Sequence, residues 1–188
     1  MATVAVPITY AAKRETDIPW YLWCLALAVT SASIGGRWDV SWHQSIGRDT
    51  FWTPAHIAIY LCGVLAGIAC GYLILKATFQ RPTELIATSV QVVGLSGPLG
   101  AFLAAWGGLA MLTSAPFDNW WHNAYGLDVK IVSPPHTLLI LGDVAIEAGA
   151  LLLIMSALNR AEGQPILFSR LRKLVLYLSS VLLMSVMF

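Results

Sequence analysis

Four long apolar stretches, each near the length of a bilayer crossing, constrain this chain more than any other feature. They run from about Ile18 to Gly35, Pro54 to Lys76, Ile86 to Leu112 and Pro135 to Leu158. A bilayer core needs roughly 20 apolar residues in a helix. A fifth stretch begins near Lys173 and reaches Phe188. Of the 188 residues, 57% are hydrophobic and 11% charged, against about 25% charged in ordinary soluble domains. A water-soluble fold of this size cannot hide that much apolar side chain, so the expected solvent is lipid. The expected fold class is therefore all-α: a polytopic membrane protein of about five transmembrane helices in a single transmembrane domain, 1–188. The net charge of +1 gives no sign of a nucleic-acid partner.

Residues 1–17 mix Lys13, Arg14, Glu15 and Asp17 and do not read as a signal peptide, so the first helix is expected to be a retained anchor. The fifth stretch is short and ends without a polar tail; the expectation is a longer natural chain or a last helix packed in a larger complex. Cys24, Cys62 and Cys70 all lie in apolar stretches and read as small packing residues rather than disulfide partners.

Basic residues set the orientation. Eight of the eleven Lys and Arg fall before the first stretch, between the second and third, or after the fourth; Arg37, Arg48 and Lys130 fall on the other side. The expected topology in the cell's inner (cytoplasmic) membrane has the N-terminus in the cytoplasm. The loops after the first and third stretches then face outward. Pro98 is expected to kink the third helix. Gly63, Gly67 and Gly71 form a small-residue row on the second, expected to face another helix of this chain or a partner.

The two outward loops share a frame. One reads DVSWHQSIGRDTFWTPAH from Asp39 to His56, and the other DNWWHNAYGLDVKIVSPPH from Asp118 to His136. Both give D-x-x-W-H-x-x-x-G-x-D, then Thr or Ser, then Pro with Ala or Pro, then His. The expected organisation is a duplicated helix–loop–helix unit, repeat 1 over about 18–76 and repeat 2 over about 86–158, with the partial fifth helix at 173–188.

All four histidines of the chain, His43, His56, His122 and His136, occupy this frame. Asp39 and His43 are four apart, as are Asp118 and His122, a spacing that puts both side chains on one helix face. His56 and His136 follow prolines suited to a first helical turn, where the helix dipole disfavours a protonated ring and keeps it available to a metal. Two imidazoles and one carboxylate per repeat form a candidate three-ligand metal set with room for water or oxygen. Trp42 and Trp121 suit an interfacial aromatic belt, and Gly47 and Gly126 suit the turn that returns the chain to the membrane. Asp49 and Asp128 are candidates to support ligand imidazoles. Asp143 and Glu147 follow His136 on one helix face, and intramembrane acids are costly; they are candidates to bond the ligands or relay protons, with Gln91 on the third helix as a further member. Bis-histidine haem ligation is disfavoured, because Gly, charged residues and Pro stand between the histidines of each pair.

At these residues the chain resembles the C subunit of the copper membrane monooxygenases, the ammonia and particulate methane monooxygenases. The resemblance rests on D-x-x-x-H-x12-H and the nearby R-D-x-x-x-T-P-A-H within SWHQSIGRDTFWTPAH, and on NWWHNAYGLDVKIVSPPH for a second cluster. It is nearest to the short archaeal ammonia monooxygenase C subunit. It spans about residues 20–158 and is specific around the two loops only. The resemblance implies copper held by Asp39, His43 and His56, and a second copper site at Asp118, His122 and His136, where the family usually has Asn in place of Asp118. It further implies A- and B-like partner subunits, dioxygen, electrons from a quinol or partner, and oxidation of ammonia, methane or a short hydrocarbon. The same donors suit iron or zinc. Two other readings stay open: a non-enzymatic membrane protein that handles copper or zinc, and a structural subunit of a respiratory complex whose histidines only hydrogen-bond.

Overall fold

The computed structural model describes residues 17–47, 50–126 and 133–187. The chain is mostly helical: α1 (Trp20–Ser45), α2 (Pro54–Leu75) with a π-helical turn (Lys76–Gln80), a short α3 (Thr83–Ile86), β1 (Ser89–Val92), β2 (Leu95–Pro98), α4 (Leu99–Tyr125), α5 (Pro134–Arg160) and α6 (Pro165–Val186). Among the described residues, three helical segments are long and apolar enough to cross a membrane: Pro54–Gln80, Leu99–Tyr125 and Pro134–Arg160. Less than half of each span is buried within the chain. Their outer faces therefore present apolar side chains such as Leu61, Ile68, Trp106, Leu109 and Leu152 to the surroundings.

Helices α1 and α2 form one antiparallel hairpin, and α4 and α5 a second. The pairs meet where α2 lies against α4. Gly63 and Gly108 face each other there: a Cβ on Gly108 would stand 3.0 Å from the Gly63 carbonyl oxygen. Between α4 and α5 the backbones come closer still. Gly107 opposes Gly142, and Gly100 opposes Gly149, with an added Cβ only 2.5 Å from the facing carbonyl at Gly107, Gly100 and Gly149. In an apolar solvent, such close backbone packing is a main source of helix association. α6 closes the bundle by a stripe of Leu167, Leu171, Leu174, Leu178 and Val181, buried at three- and four-residue spacing.

Several expected boundaries shift. The first helix does not end at Gly35 but continues for ten residues. Gly35 is a contact point rather than a stop, since a Cβ there would meet Ile59 of α2 at 2.8 Å. The third stretch is not one helix from Ile86. Its first part is α3 and a β-hairpin pairing Ser89 with Pro98 and Val92 with Leu95. Val93 and Gly94, both at positive φ, make the two-residue turn that matches strand twist, and β-branched Val90 and Val92 suit the strand. Gln91 therefore lies on β1, not on a helix. Pro98 does not kink a helix; it precedes the first residue of α4, where its missing N–H costs nothing. The proline inside α4 is Pro116. The last helix starts at Pro165 rather than near Lys173. Of the glycine row on α2, Gly63 packs against α4, whereas a Cβ on Gly67 or Gly71 would meet nothing within 4 Å among the described residues.

Candidate metal centre

The shift in the first helix boundary changes where the candidate ligands sit. Asp39 and His43 lie in the last two turns of α1, and Asp118 and His122 in the last two turns of α4. The four-residue spacing therefore acts through a real helix, stacking acid over imidazole. The third ligand of each set opens the next helix: His56 is the third residue of α2 and His136 the third of α5. Pro54 and Pro134 occupy the first helical position in each case. Gly47 and Gly126, both at φ near +90°, let the chain leave α1 and α4 in a conformation that costs other residues more.

Within cluster 1, His56 Nε2 stands 3.1 Å from Asp39 Oδ1 and His43 Nε2 stands 3.9 Å from Asp39 Oδ2. Within cluster 2, the matching distances are 3.5 Å for His136 and 3.3 Å for His122 from Asp118. In each triplet, one ligand atom per residue lies within 4.8 Å of the others. First-row ions hold imidazole and carboxylate atoms at about 2.0–2.2 Å, so neighbouring ligands stand roughly 2.8–3.6 Å apart. Three of the four distances fall in that range. The fourth involves His43, whose side chain is 46% exposed, so it is the ligand with most freedom to turn inward.

Buried polar atoms supply a further test of fit. Asp39 Oδ1 and Asp118 Oδ1 are buried and have no hydrogen-bond partner among the described residues, although an imidazole nitrogen stands close to each. A bound cation in each triplet would satisfy these carboxylates, and two imidazoles with one carboxylate are a donor set that copper, iron or zinc accepts. The residues fit the group. Each triplet is complete within its own hairpin, which favours two separate centres over one merged centre.

The surroundings of the two clusters differ. His56 Nδ1 lies 3.0 Å from the Thr50 carbonyl oxygen. With its proton on Nδ1, the ring directs Nε2 toward Asp39, the arrangement expected behind a metal ligand. Thr53 fixes that carbonyl, donating its hydroxyl proton to Thr50 O at 2.8 Å and accepting the Thr50 N–H at 2.8 Å. In the sequence, Thr53 stands in the repeated frame as the counterpart of Ser133 ahead of Pro and His, a spacing that assigns it no role. Ser133 does something else, capping α5 by accepting the His136 N–H. The Nδ1 atoms of His122 and His136 are buried without a hydrogen-bond partner among the described residues. Aromatic rings gather beside cluster 2, with Trp121 and Tyr125 centroids 4.4 Å apart and Trp120 next to both.

Asp49 and Asp128 lie outside the described residues. Asp143 and Glu147 sit on α5 about 10 and 16 Å along the axis from His136, at 1.5 Å per residue. Glu147 is 2% exposed. It accepts a hydrogen bond from the Ser185 hydroxyl of α6 at 2.9 Å, while its other oxygen and Asp143 Oδ1 have no partner among the described residues. The acids thus form a separate polar point inside the bundle.

Comparison of the chain with models of protein families, with curated proteins and with solved structures finds no match in any of the three.

Proposed function

We propose that this chain is an integral membrane subunit of about five spans that binds two metal ions, most simply copper, in a monooxygenase-like complex acting on a small molecule. One observation carries the reading. Two Asp/His/His triplets, in the same sequence frame, each bring one carboxylate and two imidazoles within 4.8 Å at the junction of two helices. The matched frames support a duplicated helix–loop–helix unit. The distribution of basic residues supports a cytoplasmic N-terminus and clusters facing outward.

Asp39, His43 and His56 would hold one ion, and Asp118, His122 and His136 the other. Copper bound there would supply one-electron chemistry with dioxygen. The chain's own contribution is to bring two imidazoles beside one carboxylate at each helix junction. The Thr50 carbonyl directs one ring. Three protein donors per ion leave open positions for small ligands. Ammonia, methane or a short hydrocarbon is the substrate class that the motif resemblance supports, with A- and B-like subunits completing the enzyme.

Isolation from native membranes with copper retained tests this reading. Support would be co-isolation with two further membrane subunits, and dioxygen-dependent oxidation of the small molecule that His43→Ala and His122→Ala abolish. A second reading, metal handling without oxidation, draws on Asp143 and Glu147, whose unpartnered oxygens inside the bundle could receive a passing cation. A chain isolated alone that carries metal ions into sealed vesicles would favour it.

A further inference from the structure

At the end of the bundle remote from both metal clusters, a groove of about 720 Å³ runs between α1 and α6. Its floor is apolar, with Ile18, Ala26, Leu27 and Leu174, and its rim is charged, with Arg170, Lys173 and Asp17. We infer that this groove binds one anionic phospholipid, its phosphate at Arg170 and Lys173 and one acyl chain along the apolar floor. The inference rests on the proposed five-span reading, in which α1 and α6 lie in the bilayer beside the three apolar helices.

Dimensions favour a lipid of one leaflet. From Ile18 to Thr30 the groove follows α1 for about 18 Å at 1.5 Å per residue, close to the roughly 15 Å thickness of half a hydrocarbon core. Its deep end is closed where the Thr30 and Tyr177 hydroxyls bond each other across α1 and α6. Those hydroxyls satisfy one another, so the apolar depth of the groove asks for hydrocarbon rather than for a polar ring. Trp23, 52% exposed, lies near the rim and suits the level where headgroups meet acyl chains.

Charge selects the headgroup. Asp17 pairs with Arg170 at 3.0 Å, which leaves the rim with a net positive charge carried by Lys173, next to exposed Arg172. Basic pockets between membrane helices on the cytoplasmic side recognise anionic headgroups. A free phosphate would gain nothing from the apolar floor, and a zwitterionic lipid would gain less from the rim.

Native mass spectrometry of the full chain in detergent tests the proposal, with phosphatidylglycerol, phosphatidylcholine and a long-chain benzoquinone as probes. One phosphatidylglycerol should bind ahead of all later molecules and ahead of phosphatidylcholine. Lys173→Gln should weaken that first event about fivefold, and Lys173→Gln with Arg170→Gln about thirtyfold, as expected for roughly 1 kcal/mol per basic side chain. Lys76→Gln and Arg160→Gln, at the same end of the bundle, should leave it unchanged. Equal affinity for the two phospholipids would overturn the proposal. So would equal losses in the control variants, or displacement of the lipid by the quinone. Alkaline carbonate extraction of native membranes separates the two failures. A chain released by carbonate defeats the membrane reading and the proposal with it, whereas a retained chain without lipid preference defeats the proposal alone.

Discussion

Replacing Gly107 by Ala should pry α4 from α5 and disturb cluster 2 while sparing cluster 1. The new Cβ would lie 2.5 Å from the Gly142 carbonyl oxygen, 2.9 Å from the Ile146 nitrogen and 3.0 Å from the Ala145 Cβ, where ordinary contact begins at 3.4 Å. Two of those three neighbours are backbone atoms, which cannot rotate away, so the helices must separate by most of an ångström. Overpacking of this kind costs roughly 2–3 kcal/mol. Ala is about 1 kcal/mol better than Gly inside a helix, so the net loss should be about 1–2 kcal/mol. For a chain of this length that corresponds to a midpoint lower by roughly 2–8 °C. Gly67→Ala makes the same chemical change where nothing lies within 4 Å, and should leave the midpoint unchanged or higher. Thermal unfolding of both variants in one detergent, followed by tryptophan fluorescence, gives the comparison. Metal titration should show weakened binding at one of two sites in Gly107→Ala only. Equal stability of the two variants would refute the packing argument.

Thr53→Ala removes both side-chain hydrogen bonds that tie Thr53 to the Thr50 backbone, leaving only the Thr53 N–H on the carbonyl that faces His56. It should weaken cluster 1 by about 10- to 100-fold, with Thr53→Ser restoring it and cluster 2 unaffected, as read by competitive metal titration. Ser133→Ala removes the cap of α5 and should cost about 1 kcal/mol, visible as a lower unfolding midpoint. Ser185→Ala strips Glu147 of its hydrogen bond from α6; the buried carboxyl oxygen it leaves should cost about 1–3 kcal/mol in the same assay. For orientation, a cysteine at Gly47 should react with an impermeant maleimide from outside intact cells. One at Gly163 should react only after permeabilisation, and the reverse pattern would invert the proposed topology.

Much of the site was legible because its chemistry repeats. Four histidines in one frame, each with an acid or a proline at fixed spacing, pointed to two triplets, and the structure gathers the same residues. The helix boundaries were less legible. Hydrophobicity alone treats 86–112 as one span, yet its first part is β-branched and rich in Gly, and folds as a hairpin because local backbone preference wins over mean hydropathy. Gly35 and Gly36 read as an end, but Gly35 is small so that α2 can pack against it. The role of Thr53 depends on where its hydroxyl points within a turn, which no spacing rule encodes. The partition of glycines into Gly107 with a tight neighbour and Gly67 with none is likewise a property of helix rotation, not of the motif.

The most direct measurement is metal content per chain, by elemental mass spectrometry on protein purified with copper supplied, joined to X-ray absorption at the metal edge. The account predicts two ions per chain with nitrogen and oxygen ligands, one ion in Asp39→Ala, one in Asp118→Ala, and none in the double variant. Wild-type protein that binds no ion, or single variants that keep both, would contradict it.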